Sequence, residues 1–355
     1  MTISVNTFTN IKARDDARRN VVDASSKKDA SVRIVIPGGS GQVGTLLARA
    51  FHAGGHQVVV LTRRPQPQRS PWRLTQWDGA TLGDWSADID GSDVVINLTG
   101  RSVNCRYNAA NRREILESRV RSTRVVGEAI AGAARPPRVW LQASTATIYA
   151  HRYDAANDER TGVLGGDEGD VPRSWRFSIE VARAWERTFN EAVTHGTRKV
   201  ALRSAMTLSP DPGGVFDALL GLVRHGLGGR AGDGRQFMSW IHYRDFVAAV
   251  GWLIDRDLEG VVNIAAPNPL PNAEFMRVLR HAWGTSFGLP ARSWMLEIGA
   301  AFMRTETELI LKSRRVVPGR LLEHGFTFKF PTWHEAATDL CGEWKVSRQI
   351  PRSIG

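Results

Sequence analysis

Val32-Arg-Ile-Val-Ile36, then Pro37-Gly-Gly-Ser-Gly-Gln-Val-Gly44, then the apolar-periodic stretch from Leu46 to Phe51 decide the fold. A β-branched run reads as a strand, the glycines as a tight turn, and the period that follows as a helix. Gly38, Gly41 and Gly44 recur at G-x-x-G-x-x-G spacing. Residues without a Cβ let the chain turn sharply and bring its backbone close to a pyrophosphate. The helix then presents free N–H groups and the positive end of its dipole to that anion. Gly38, Gly39, Ser40, Gly41, Gln42, Val43 and Gly44 are therefore the expected phosphate-binding loop. A merely structural turn does not need three glycines at this spacing.

Outward from the loop, Gln57-Val-Val-Val-Leu61, Asp93-Val-Val-Ile-Asn-Leu98, Arg138-Val-Trp-Leu-Gln142 and Lys199-Val-Ala-Leu-Arg203 read as strands. Helical periods over 112–134 and 182–193 lie between them. Strands alternating with helices build βαβ units and a parallel sheet. The expected fold class is α/β, a doubly wound parallel Rossmann sheet. After residue 210 the punctuation changes, with Pro210, Pro212, Gly213, Gly214 and then glycines from Gly226 to Gly234. Short helices follow, with one more strand at Gly260-Val-Val-Asn-Ile264, which reads as a small, mostly helical C-terminal lobe. The expected division is a disordered leader over 1–30, a nucleotide-binding domain over 31–210 rejoined by 240–266, a substrate lobe from 211–239 and 267–340, and a tail over 341–355.

The second strand sets the cofactor. An NAD site ends that strand in Asp or Glu, which bonds the ribose 2′-hydroxyl. Here it ends Leu61-Thr62-Arg63-Arg64. A guanidinium fork matches a phosphate. The expectation is NADP(H) over NAD(H), with Arg63 or Arg64 on the 2′-phosphate.

Composition removes other classes. The two cysteines, Cys105 and Cys341, make no disulfide framework. No run reaches the roughly 18 apolar residues of a membrane helix, since Trp294–Met303 holds Glu297 and is flanked by Arg292 and Arg304. The leader lacks a secretory apolar core, and Asp15, Asp16 and Asp23 argue against a transit peptide, so the expected place is the cytoplasm. The net charge of +11 points to an anionic partner. No nucleic-acid motif accompanies it, so that partner is read as the dinucleotide. The nine histidines show no metal-ligand spacing, and no metal is expected. Oligomeric state is left open.

Asn97-Leu-Thr-Gly100 at a strand end and Ser144-Thr-Ala-Thr-Ile-Tyr149 resemble extended short-chain dehydrogenases/reductases. More narrowly the chain resembles their atypical "epimerase family" branch with a DUF1731-like C-terminal extension. That match is carried by Glu114-Ile-Leu-Glu-Ser-Arg-Val-Arg-Ser-Thr-Arg124, Trp185-Glu186, Gly234-Arg-Gln-Phe-Met-Ser-Trp-Ile-His242 with Asp245, and Leu311-Lys-Ser-Arg-Arg-Val-Val-Pro318 followed by Gly325-Phe-Thr-Phe328 and Pro331. It spans about residues 31–340. The resemblance implies a Rossmann sheet binding NADP and a lobe closing over a small-molecule substrate. It adds Leu98, Thr99, Gly100 and Asp78 to the cofactor site, and places an active-site hydroxyl at Thr145 with Ser144 beside it. Pro37 replaces the Thr or Ser usual before the first glycine, and has no N–H to donate.

The catalytic signature departs from that pattern. The superfamily uses Tyr-x-x-x-Lys, which one helical turn places on one face. Counted back from Glu186, the two positions are Ser178 and Ala182, neither able to serve. The four tyrosines, Tyr107, Tyr149, Tyr153 and Tyr243, have no lysine four residues on, and no lysine stands between Lys28 and Lys199. Three readings follow. One is an NADP(H)-dependent reductase of a carbonyl or activated alkene, its proton from Thr145, Ser144, Tyr149, His151 or water. The second is a sugar-nucleotide-type epimerase. The third is a non-catalytic NADP-binding sensor or scaffold. Phe237, Met238, Trp240 and His242 line either a substrate pocket or the core. Arg203 holds either an anionic substrate or a core carboxylate. Lys312-Ser-Arg-Arg315 reads as a solvated patch compensating a helix end.

Overall fold

The computed structural model describes residues 31–66, 70–169, 171–291 and 308–349. The expected leader, Trp294–Met303 and the last residues of the expected tail lie outside the described residues. The strands are β1 (Arg33–Pro37), β2 (Gln57–Thr62), β3 (Arg73–Gln76), β4 (Val94–Asn97), β5 (Val139–Thr145), β6 (Arg198–Ser204), β7 (Met206–Leu208), β8 (Phe237–Met238), β9 (Trp240–His242), β10 (Gly260–Ile264) and β11 (Leu270–Pro271). Seven form one sheet in the order β10-β6-β5-β4-β1-β2-β3, every pair parallel. The chain runs outward from β1 to β3, then returns and runs the other way from β4. That reversal leaves a crevice beyond the C-terminal ends of β1 and β4, where doubly wound sheets take ligands.

The central strands are continuous apolar runs because both faces of the sheet are covered. Ile34, Val35 and Ile36 are all fully buried. The main helices are α1 (Gln42–Ala53), α2 (Ala109–Ala131), α3 (Arg173–Glu191), α4 (Val215–Arg224), α5 (Tyr243–Asp255), α6 (Asn272–Trp283) and α7 (Trp333–Gln349). On one face, Val125, Val126, Ala129 and Ile130 of α2 and Phe189 of α3 pack on Val35, Val59, Val95 and Trp140.

The structure differs from the sequence reading in three places. Helix α3 begins at Arg173, well before residue 182. Trp175, Phe177, Ile179 and Val181 alternate with polar residues and so hide the helical period, yet all four are buried. Phe177 and Val181 pack on Ile115 of α2, while Ala182 packs on Tyr149. The helix is clasped on two sides, which its sequence pattern cannot reveal. Second, the short strands β7 to β9 and β11 are too brief for a period-2 signal. They pair as β7 with β9 in parallel and β8 with β11 antiparallel. Third, the boundary drawn at 341 falls inside α7, which runs to Gln349. Leu340, Cys341 and Trp344 belong to a second core with Phe216, Leu220, Trp240, Phe275 and Trp333. Trp333 stacks on Phe275 at 4.0 Å between ring centres and donates its indole N–H to the Phe275 carbonyl.

Candidate active site

The glycine loop sits between the ends of β2 and β4. Gly38 N donates to Leu61 O at 2.9 Å and Leu98 N donates to Pro37 O at 2.9 Å. Gly38 has φ +75°, and a Cβ there would come within 2.7 Å of the Thr99 Cα. A Cβ on Gly44 would collide with Gly39, so α1 lies directly on the loop. Gly41 is different. A Cβ there would meet only Gly38 O at 3.7 Å, an ordinary contact. The fold itself does not demand glycine at 41, whereas close approach of a ligand to the backbone does. No side chain caps α1 at Gly41, and no carboxylate stands in its first turn. The early amides of α1 are therefore suited to an anion. Beside them the Thr99 hydroxyl is buried with no hydrogen-bond partner among the described residues. These features fit a dinucleotide.

The remaining loop side chains hold the loop in place. Ser40 accepts from the Thr62 hydroxyl at 3.1 Å, and Gln42 Nε2 donates to Ser209 Oγ at 3.2 Å. Arg63 and Arg64 follow directly on β2, both exposed. Asp78, just beyond β3, accepts from Thr81 Oγ1 at 2.6 Å and from the amides of Ala80 and Thr81. Those bonds hold its pKa below the usual carboxylate range.

The expected catalytic hydroxyls fall into a buried network. Ser144 Oγ donates to Glu186 Oε1 at 2.5 Å. Arg203 grips Glu186 with two parallel bonds of 2.8 and 2.7 Å, and its Nη1 donates to Tyr149 OH at 3.0 Å. Tyr149 OH donates in turn to Asn263 Oδ1 at 2.9 Å. Burial raises the Tyr149 pKa, against the opposing pull of Arg203. Burial alone would lower the Arg203 pKa, and the bonds and charge of Glu186 more than reverse that. The arginine thus takes the core carboxylate of its two expected partners. Thr145 Oγ1, half-buried, accepts from Thr147 N at 3.2 Å. His151 Nδ1 accepts from Ser313 N at 2.8 Å, and burial, together with Lys312 and Arg314, lowers its pKa.

Other expected substrate contacts belong to the interior. His242 is fully buried, caps α5 by accepting from Arg244 N, stacks on Phe330 at 3.9 Å and faces Asp339 at 3.2 Å. Burial drives its pKa down to about 4, with Asp339 opposing. Trp240 is fully buried in the second core and donates to Asn268 O. Phe237 is half-buried under the Arg315 guanidinium. A cavity of ≈ 450 Å³ opens along α3 at Ile148, Leu164, Arg183, Glu186 and Arg187, away from the glycine loop.

Sequence reasoning missed one cluster. Ser178, at the tyrosine position of the absent dyad, donates to Glu308 Oε2 at 2.6 Å. Lys312, one turn further on, is buried and donates to Thr147 O at 2.8 Å. Arg314 Nε donates to Thr147 Oγ1 at 3.1 Å. The expected solvated patch is thus turned inward onto the loop after β5. Four basic or polar residues in a row carry no local signal of burial. Among the described residues no group of His, Cys, Asp or Glu is arranged to hold a metal, and no helix is long and apolar enough to cross a membrane.

Comparison with known proteins places this geometry. The family model described as "NAD dependent epimerase/dehydratase family" matches residues 34–265, and the domain of unknown function DUF1731 matches residues 293–340. Epimerase family protein SDR39U1 of Bos taurus is 32% identical over 302 residues, covering 84% of this chain and 96% of that protein. A chloroplastic homolog from Arabidopsis thaliana is 28% identical over 319 residues, 88% of each chain. The crystal structure of human epimerase family protein SDR39U1 with NADPH superposes with a TM-score of 0.76 at 29% identity, covering 87% of this chain and 99% of that one. A nucleoside-diphosphate sugar epimerase from Corynebacterium glutamicum gives 0.68 at 26% identity, covering 93% and 62%. With an Epimerase match over most of the sheet and DUF1731 behind it, the chain belongs to the NAD dependent epimerase/dehydratase family, in the branch of atypical short-chain dehydrogenases/reductases that carries this C-terminal extension.

Proposed function

We propose that the chain is an NADP(H)-dependent oxidoreductase that reduces a small carbonyl or activated-alkene substrate. The observation that carries this is the uncapped start of α1 behind Gly38–Gly44, with the two exposed guanidiniums of Arg63 and Arg64, and no carboxylate, following β2. The glycine-loop amides hold the pyrophosphate, Arg63 or Arg64 the 2′-phosphate, and Leu98, Thr99, Gly100 and Asp78 line the rest of the cofactor's length. The NADPH held by the human relative supports the same choice. Bound NADPH supplies a hydride. The chain has to position the acceptor, polarise it and give it a proton.

An epimerase must also take a proton from a hydroxyl, and Ser178 and Ala182 offer no base for that step. We therefore rank reduction above epimerisation. The test follows reduced-nicotinamide absorbance with the purified chain, NADPH and a panel of carbonyls and activated alkenes. Oxidation with at least one acceptor supports the reading. Tight binding without oxidation across the panel replaces it with a sensor or scaffold. Substrate inversion without net cofactor change replaces it with an epimerase.

A further inference from the structure

The C-terminal extension places an unusual lysine at the catalytic end of the sheet. Lys312 is among the largest fully buried side chains of the molecule. Lysine is almost never buried unless it is paired. Here Nζ donates to Thr147 O at 2.8 Å, and the carboxylates that act on it are Glu308 and Glu168. Its neighbours are drawn to the same place. Glu308 holds Ser178, and Ser313 N donates to His151 Nδ1. The segment is therefore fastened to the loop that leaves β5, two residues past Thr145, and to the helix position the missing tyrosine would occupy. Meanwhile Ser144 and Tyr149 donate their hydroxyl protons to Glu186 and Asn263.

We propose that Lys312, delivered by the C-terminal extension, is the proton donor that replaces the absent Tyr-x-x-x-Lys pair. This rests on the reductase reading above. The acceptor carbon gains the hydride from NADPH, which becomes NADP+. The acceptor oxygen gains one proton from the Nζ ammonium, and the amine left behind recovers a proton from water. The charged groups that face Nζ are Arg314 and Glu308 on its own segment and Glu168 and His151 on the loop before α3. Burial, reinforced by Arg314 and opposed by Glu308 and Glu168, brings the Lys312 pKa down to about 8. An ordinary lysine is too weak an acid for rapid transfer near neutral pH, and this shift moves it toward the working range.

Seven lysines make the test tractable by NMR of the full chain labelled at lysine Cε. The Lys312 resonance is the one missing from K312R. In the wild type it is expected to titrate near pH 8 and to move on addition of NADP+. A titration near the ordinary lysine value, or no movement while NADP+ binds, overturns the proposal. With an acceptor from the panel, K312M should lower kcat about 100-fold at unchanged NADPH affinity. The wild-type kcat should fall above pH 8, a limb absent from K312R. A K312M kcat within about threefold of wild type, or the same limb in K312R, also overturns it. Absence of any NADP(H) binding is a different failure, that of the cofactor reading itself.

Discussion

Glu186 and Arg203 show how one residue pair decides between two chemistries. A strand-end arginine on the ligand edge of a sheet is readable from sequence, but its partner is not. Glu186 lies on the preceding helix, and only the packing of α3 on the sheet, through Phe189 on Trp140 and Ala201, brings the two together. Removing one member leaves a buried charge unmatched, so E186Q or R203M should each cost about 3–5 kcal/mol by denaturant unfolding. The double variant E186M/R203M should cost less than the two added. A sum equal to the single costs would mean that the pair is not coupled. His242 gives a second test. Its folded pKa of about 4 lies below the ordinary histidine value, so protonation favours the unfolded chain. Stability is full above about pH 6.5 and is lost as pH falls toward 4, with a slope approaching about 1.4 kcal/mol per pH unit. H242N, which keeps a capping side chain, should show a shallower Tm decline across that window than the wild type.

At the scale of elements, the strand, glycine turn and helix at the N-terminal edge were legible because each local signal agrees with its neighbours. β1, β2, β4, β5 and β6 fall where apolar runs stand between turns. The start of α3 was not legible, because its first two turns alternate like a strand and are settled by contacts to α2 and Tyr149. The 308–316 segment was not legible either, since nothing in Lys-Ser-Arg-Arg says which loop it will meet. The glycines of the turn separate fold from function. G38A puts an alanine at φ +75° and against Thr99, and should cost about 1–3 kcal/mol of stability. G41A meets no close atom, so its melting temperature should stay near that of the wild type. Its NADPH affinity should nonetheless drop about tenfold, because a Cβ displaces the anion from the backbone. Equal loss of stability in the two variants would contradict this division.

Over the whole molecule, a change in Pro and Gly punctuation near residue 210 was readable, but the described residues from Arg33 onward form one compact unit. The depth of the second core was not readable. Trp333 joins it from the far end of the chain and is 1% exposed, so W333A should cost about 3–5 kcal/mol. A negligible change in unfolding would mean that α7 is not part of that core. The net charge of +11 needed the same correction toward detail. Much of the described arginine excess lies on the surface, but Arg119 lies over the Trp185 ring, Arg203 and Arg314 are drawn inward, and among the described lysines Lys312 is buried. The cofactor choice is tested most directly by a paired titration of the full chain with NADPH and NADH, followed by nicotinamide fluorescence, with R63S/R64S alongside. Lost charge-assisted bonds to a phosphate are worth about 1.5–3 kcal/mol. NADPH should bind at least about tenfold tighter than NADH, with that preference abolished in the double variant. Equal affinity for the two nucleotides, or a preference that survives without both arginines, would contradict that choice.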